Sequence, residues 1–168
     1  MKNQLLQLIS IIKSKNKNII LARNAIYAAL YVVLCYIFQP ISFYAIQFRI
    51  SESMMALSLF DEYAIVSLTV GCFISNLLLT GNIFDIIFGS LATLIGLFIS
   101  KFIKTKNYFL KMLPIILSNG VIIPFVLKYG YGFTDIVLYT EFLFVTIGEA
   151  LVLYTVGYVL YLNINKIF

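Results

Sequence analysis

A few polar side chains interrupt the long apolar stretches of this chain, and their types suit ligand binding. Arg49 and Glu52 are three residues apart, which places them on one helix face, where they can form an ion pair or contact one ligand. Glu149 lies in the middle of the last apolar stretch. Because an isolated carboxylate in hydrocarbon is very costly, Glu149 needs a partner, which is either Arg49 or a polar ligand.

Three more polar residues have both a structural and a functional interpretation. Asn76 and Asn119 lie inside apolar stretches, where an amide can form an interhelical hydrogen bond or contact a ligand. Asp85 begins an apolar stretch, so it is a candidate for either a helix N-cap or a ligand contact. Glu141 is close enough to the predicted membrane surface to be solvated, and we therefore leave it out of the site.

The residue types argue against catalysis. The chain has no histidine, which removes imidazole chemistry and the usual mixed zinc sites. Cys35 and Cys72 stand apart in apolar stretches and are expected to be free, buried thiols. The sequence contains no nucleophile–base arrangement, no aspartate-rich metal motif and no Walker A loop. We expect a protein that is not an enzyme and that binds neither a metal nor a cofactor.

The composition requires membrane helices to position these side chains. Of 168 residues 62% are hydrophobic and 11% are charged, against roughly 45–50% and 25% in soluble domains. The mean hydropathy is +1.01. The apolar stretches are continuous, whereas the strands of a transmembrane barrel alternate apolar and polar residues. The fold class is therefore an all-α integral membrane protein.

Six apolar segments predict a bundle of six transmembrane helices. We place the segments at residues 19–38, 46–60, 63–79, 85–103, 112–127 and 136–162. Pro114 and Pro124 are expected to break the fifth. Residues 1–18 are basic, with apolar residues at helical spacing, and form a cytoplasmic or interfacial segment. The chain thus divides into 1–18 and a transmembrane domain, 19–168.

Basic residues indicate the orientation. The N-terminal segment and the connector at 101–111 are both rich in lysine and so both belong in the cytoplasm. An even number of crossings must separate them, so the weak second segment is retained and both termini are inside. The polar candidates then lie in the outer half of the bundle, which predicts a pocket open to the outside. The excess of basic residues, a net charge of +5, reflects the orientation of the helices in the membrane and does not indicate nucleic-acid binding.

The first helix carries a stripe of small residues. Ala22, Ala25 and Ala29 stand at positions i, i+3 and i+7. Small side chains at this spacing allow another helix to approach closely in lipid. That helix belongs either to this chain or to a partner subunit.

Three sequence blocks resemble the queuosine-precursor transporter (QueT) family. They are residues 40–52 (PISFYAIQFRISE), 85–94 (DIIFGSLATL) and 148–150 (GEA), within a resemblance that extends from 23 to 162. The resemblance implies a substrate-binding S component of an energy-coupling factor transporter in a bacterial cell membrane. Its implied partners are a transmembrane coupling subunit, which would contact the alanine stripe, and two ATPases that hydrolyse the ATP.

The resemblance also implies a 7-deazaguanine ligand, either queuine or its cyano or aminomethyl precursors. Glu149 would then accept hydrogen bonds from the ring N1–H and the exocyclic amine. Arg49 or Gln47 would donate to the ring carbonyl. Glu52 or Asp85 would hold the aminomethyl cation. The aromatic residues before Arg49 would stack on the ring: Phe43, Tyr44 and Phe48.

Two other functions remain open at this point. An S component for another vitamin or purine-like compound would keep the architecture and change the ligand. A membrane scaffold without a small ligand would have polar groups that pair only with one another, so no solute would stabilise it.

Overall fold

The computed structural model describes residues 10–11, 14, 16–42, 48–132 and 135–166. Every regular element within these ranges is helical, as predicted. The elements are α1 (Lys17–Ile37), α2 (Gln39–Ser42), a 3₁₀ helix (Ile50–Leu59), α3 (Ala64–Leu79), a π turn (Asp85–Gly89), α4 (Ser90–Phe102), α5 (Tyr108–Tyr131), α6 (Asp135–Val152), a second π turn (Leu153–Gly157) and α7 (Tyr158–Asn165).

Within the described parts of the chain, four helical stretches are long and apolar enough to cross a membrane. They are Lys17–Ile37, Asp85–Phe102, Tyr108–Tyr131 and Leu138–Asn165. Large apolar side chains cover their outer faces, including Leu21, Phe98, Phe125 and Val159. Because lipid tails accept such surfaces, this pattern supports the predicted class of a helical membrane protein.

The second predicted span, 46–60, does not form a regular α-helix over the residues that the structure describes. The structure instead has a 3₁₀ helix of 10 residues, which at about 2.0 Å per residue is about 20 Å long, shorter than a bilayer core of about 30 Å. Six successive side chains of this helix, Ser51–Ala56, are buried. Because the segment is surrounded by other helices, protein packing rather than lipid sets its conformation.

The fifth predicted span differs in length and continuity. α5 extends over 24 residues and contains both Pro114 and Pro124 without ending at either. The expectation that the prolines break this segment is therefore wrong. Neighbouring helices in a membrane protein can compensate for the backbone hydrogen bonds that proline removes.

Close helix packing encloses the 3₁₀ helix. α1 packs on α3, α4 packs on α5, and the 3₁₀ helix lies against α1, α3 and the second π turn. A Cβ added to Gly96 of α4 would stand 2.7 Å from the Ile115 Cα of α5, so glycine permits the two backbones to approach. The largest fully buried apolar side chains include Tyr31, Met55, Leu68, Leu97 and Met112.

A buried ion pair joins α1 to the turn before α3. The Arg23 Nε lies 2.6 Å from the Asp61 Oδ2, and both side chains are almost completely buried. Arg23 also donates to the carbonyl of Ile11, at 2.7 Å. Burial raises the pKa of Asp61, and the Arg23 guanidinium opposes that shift. The sequence does not predict this pair, because the inner halves of the predicted segments are almost wholly apolar.

Candidate functional site

Six of the predicted polar residues meet in one buried cluster. It comprises Arg49, Glu52, Asn76, Asp85, Asn119 and Glu149, and none of these is more than 4% exposed. The 3₁₀ helix and the residue before it, α3, the first π turn, α5 and α6 each contribute at least one member. We call these six residues the polar cluster.

Two carboxyl groups face each other at the centre of the polar cluster. Glu52 and Glu149 are close enough to interact electrostatically, and Arg49 interacts electrostatically with both. The Tyr31 hydroxyl donates to the Glu52 Oε1 at 2.5 Å. This arrangement can accept hydrogen bonds from a ligand that brings donors of its own.

The two asparagines link helices. The Asn119 Nδ2 donates to the Glu149 Oε1 at 3.1 Å and so orients the carboxyl group. The Asn76 Nδ2 donates to the main-chain carbonyl of Asp85 at 2.8 Å. The Asn76 Oδ1 is buried and has no hydrogen-bond partner among the described residues. The interhelical interpretation therefore holds for both amides, and Asn76 retains a free acceptor.

Asp85 is not a helix N-cap. The Asn82 side chain accepts a hydrogen bond from the Phe84 N–H and occupies the position expected for the cap. The Asp85 carboxyl instead accepts a hydrogen bond from the Tyr131 hydroxyl. Asp85 lies in a π turn, which changes the helical register locally, and its carboxyl group is close enough to Arg49 to interact with it electrostatically.

The sequence did not single out two tyrosines that contact the polar cluster, and its prediction for Glu141 is wrong. Tyr31 and Tyr131 donate hydrogen bonds to carboxyl groups, but nothing in the sequence distinguishes them from the rest of the chain's 12 tyrosines. Glu141 is only 5% exposed, so the expectation that it is solvated is wrong. Its spacing of eight residues from Glu149 was a usable signal, because that spacing places both on one face of a helix.

The aromatic candidates are only partly described. Phe43, Tyr44 and Gln47 lie outside the described residues. Phe48 is half-buried and immediately precedes Arg49. The stacking of these aromatic side chains on a ligand stays a prediction.

The alanine stripe of α1 faces outward. Ala22, Ala25 and Ala29 are all exposed. The interpretation that they allow close packing within the chain is therefore wrong. The other interpretation, that the stripe is a surface for a helix of a partner subunit, stays a prediction.

The thiols and acidic residues do not suggest a metal centre. Cys35 and Cys72 are free and buried, as expected. The Cys35 Sγ and the Ser51 Oγ lie 3.0 Å apart. Across the described ranges, no group of three or more His, Cys, Asp or Glu residues is arranged to hold a metal ion.

Apolar helices around a buried charged centre define the class of the protein, a helical membrane protein with a polar interior. The sequence profile described as "QueT transporter" matches residues 21–166, and the chain belongs to this family. The family consists of transporters rather than enzymes.

One curated relative is the "Queuosine precursor transporter QueT" of Lactococcus lactis subsp. cremoris (strain MG1363). It is 41% identical over 85 residues, a match that covers 49% of this chain and 50% of the relative. The matched region thus spans about half the length of that relative. No solved structure gives a significant match to this chain.

Proposed function

We propose that this chain is the substrate-binding S component of an energy-coupling factor transporter that takes up a queuosine precursor. Its location would be a bacterial plasma membrane. Membership of the QueT family supports the transport role, and the name of the Lactococcus relative supports the substrate class. The structural observation that carries the proposal is the convergence of Arg49, Glu52 and Glu149 in one buried cluster.

The polar cluster has the chemistry to recognise a guanine-like edge. The Glu149 carboxylate would accept from the ring N1–H and the exocyclic amine, a bidentate and charge-assisted pair. Arg49 would donate to the ring carbonyl. Asn119 already fixes one oxygen of Glu149, and Tyr31 fixes one oxygen of Glu52. These contacts would pre-organise the site and lower the entropy cost of binding.

The proposal includes six crossings with both termini in the cytoplasm. Two ion pairs support this orientation because each joins residues assigned to the inner side. Arg23 pairs with Asp61, and Lys101 pairs with Glu62 at 3.0 Å. The 3₁₀ helix would then lie within the membrane as part of the second crossing, shielded from lipid by its neighbours.

The energy would come from partner subunits. A transmembrane coupling subunit would contact α1, and two ATPases would hydrolyse the ATP. The exposure of Ala22, Ala25 and Ala29 supports a partner surface on α1. Small residues at this spacing permit close approach of helices in lipid.

A bulky substitution in the alanine stripe tests the partner surface. Ala25→Leu should abolish assembly with the coupling subunit, because the side chain would hold the helices apart. Ligand binding by the isolated chain should remain unchanged. Co-purification of the coupling subunit and ligand-induced stabilisation measure the two properties. Leu30→Ala, at another exposed position of α1, is the control, and equal assembly by both variants would contradict the proposed surface.

A thermal-stability assay of the purified protein in detergent tests the substrate. The ligands are queuine, its cyano and aminomethyl precursors, guanine and a panel of vitamins. A ligand at a concentration of about 100 Kd stabilises the folded state by about 2.7 kcal/mol, so we expect a clear rise in Tm with a 7-deazaguanine.

Two other results of this assay would change the proposed function. A rise only with another compound would keep the S component and replace its substrate. No rise with any compound, in a folded sample, would favour the membrane scaffold.

A further inference from the structure

Glu141 is a buried acid outside the polar cluster. It is 5% exposed, and its Oε2 has no hydrogen-bond partner among the described residues. One turn further along α6, Val145 packs with Ile123 and Leu127 of α5. A carboxylate next to such apolar packing is costly unless something compensates it. The absence of a described partner for this oxygen therefore points to a ligand group.

Glu141 and Glu149 lie on one face of the same helix. They are eight residues apart, which corresponds to about 12 Å along the axis at about 1.5 Å per residue. Val145 lies between them on the helix and is buried, so this face of α6 points into the protein. A ligand held by its ring edge at Glu149 and extending along α6 towards Glu141 would have to pass beside Val145, which packs against Ile123 and Leu127 of α5.

The distance suits a 7-deazaguanine with an amine arm. Such a ligand, with one hydrogen bond of about 2.9 Å at each end, spans on the order of 12 Å. Glu52 cannot hold the far end, because its carboxyl group lies beside that of Glu149. Asp85 already accepts a hydrogen bond from Tyr131 and lies in the field of Arg49.

We infer that Glu141 binds the cationic amine of the ligand, at the outer end of a site whose inner end is Glu149. The inference rests on the proposed function. It makes Glu141 a specificity-determining residue that favours a protonated amine over a neutral substituent. The protein therefore binds 7-aminomethyl-7-deazaguanine more tightly than the 7-cyano compound, which has no cation to pair with Glu141.

Calorimetric titration with these two compounds, in detergent, tests the inference. The wild type should bind the aminomethyl compound more tightly. Glu141→Gln should weaken that binding by about tenfold to a hundredfold, the value of a hydrogen bond between charged groups. Its affinity for the cyano compound should remain unchanged. Glu141→Asp should retain part of the preference. Glu62→Gln, at an exposed acid near the opposite end, should bind both compounds as the wild type does.

The possible outcomes separate this inference from the proposed function. Equal binding of both compounds by the wild type overturns the role of Glu141, and this comparison needs no variant. The inference also fails if Glu141→Gln, folded according to its ligand-free Tm, weakens both compounds equally or neither. If the wild type binds no deazaguanine, the proposed function fails instead.

Discussion

Glu149→Gln is expected to weaken binding of a 7-deazaguanine by about a hundredfold. The substitution removes the charge from a bidentate pair and replaces one acceptor oxygen with a donor NH₂ group, which would face the donors of the ring edge. Hydrogen bonds to charged groups contribute about 1.5–3 kcal/mol, and about 1.4 kcal/mol corresponds to a tenfold change in affinity. Calorimetric titration of the purified variant measures the loss.

The fold should tolerate this substitution. The side-chain carbonyl of glutamine can still accept the hydrogen bond that Asn119 now donates to the Glu149 Oε1. The ligand-free Tm should therefore remain close to that of the wild type, which separates loss of binding from loss of structure. Arg49→Gln provides a second measurement on the same site. Unchanged affinity in both folded variants would exclude the polar cluster as the ring-binding site.

Asp61→Asn is expected to lower the free energy of unfolding by about 3–5 kcal/mol. The substitution removes the negative charge that compensates the buried guanidinium of Arg23, which lies 2.6 Å away. Breaking a buried pair from one side is costly because the other charge stays in a medium of low dielectric. Thermal unfolding in detergent measures the change as a lower Tm.

A double variant shows whether Arg23 and Asp61 stabilise the fold as a coupled pair or contribute separately to the free energy of unfolding. Arg23→Met combined with Asp61→Leu replaces both charges with apolar groups and should recover most of the lost stability. Strictly additive losses would show that the two residues are not coupled. Ligand affinity serves as an internal control, because the pair lies outside the polar cluster and should not change it.

The sequence predicts the polar cluster well because apolar surroundings make polar residues conspicuous. Glu149 and Asn119 stand in segments where any charge or amide must find an internal partner. The structure brings them within 3.1 Å of each other. The same reasoning, applied to depth in the membrane, assigned Arg49 and Glu52 to the same region.

Other features of the structure depend on tertiary packing, which the pattern of hydropathy along the sequence does not encode. The 3₁₀ helix follows from burial of Ser51–Ala56 among its neighbours, whereas hydropathy alone predicts a regular crossing. Tyr31 is both apolar and hydrogen-bonding, so its contact with Glu52 leaves no signature in composition. The prediction that Glu141 is solvated is wrong because proximity to the membrane surface does not ensure contact with solvent when neighbouring helices cover the side chain.

The buried 3₁₀ helix also constrains how the protein is made. Moving a charged side chain into the bilayer costs about 2.5–3.5 kcal/mol on insertion scales, and the beginning of this helix has both Arg49 and Glu52. Tyr31 is synthesised before these residues, but Glu149 lies on α6, near the end of the chain. Under the proposed topology, the interactions of Arg49 and Glu52 with Glu149 form only after α6 has been synthesised. Packing of this N-terminal segment would therefore be completed late, after the middle helices have been translated.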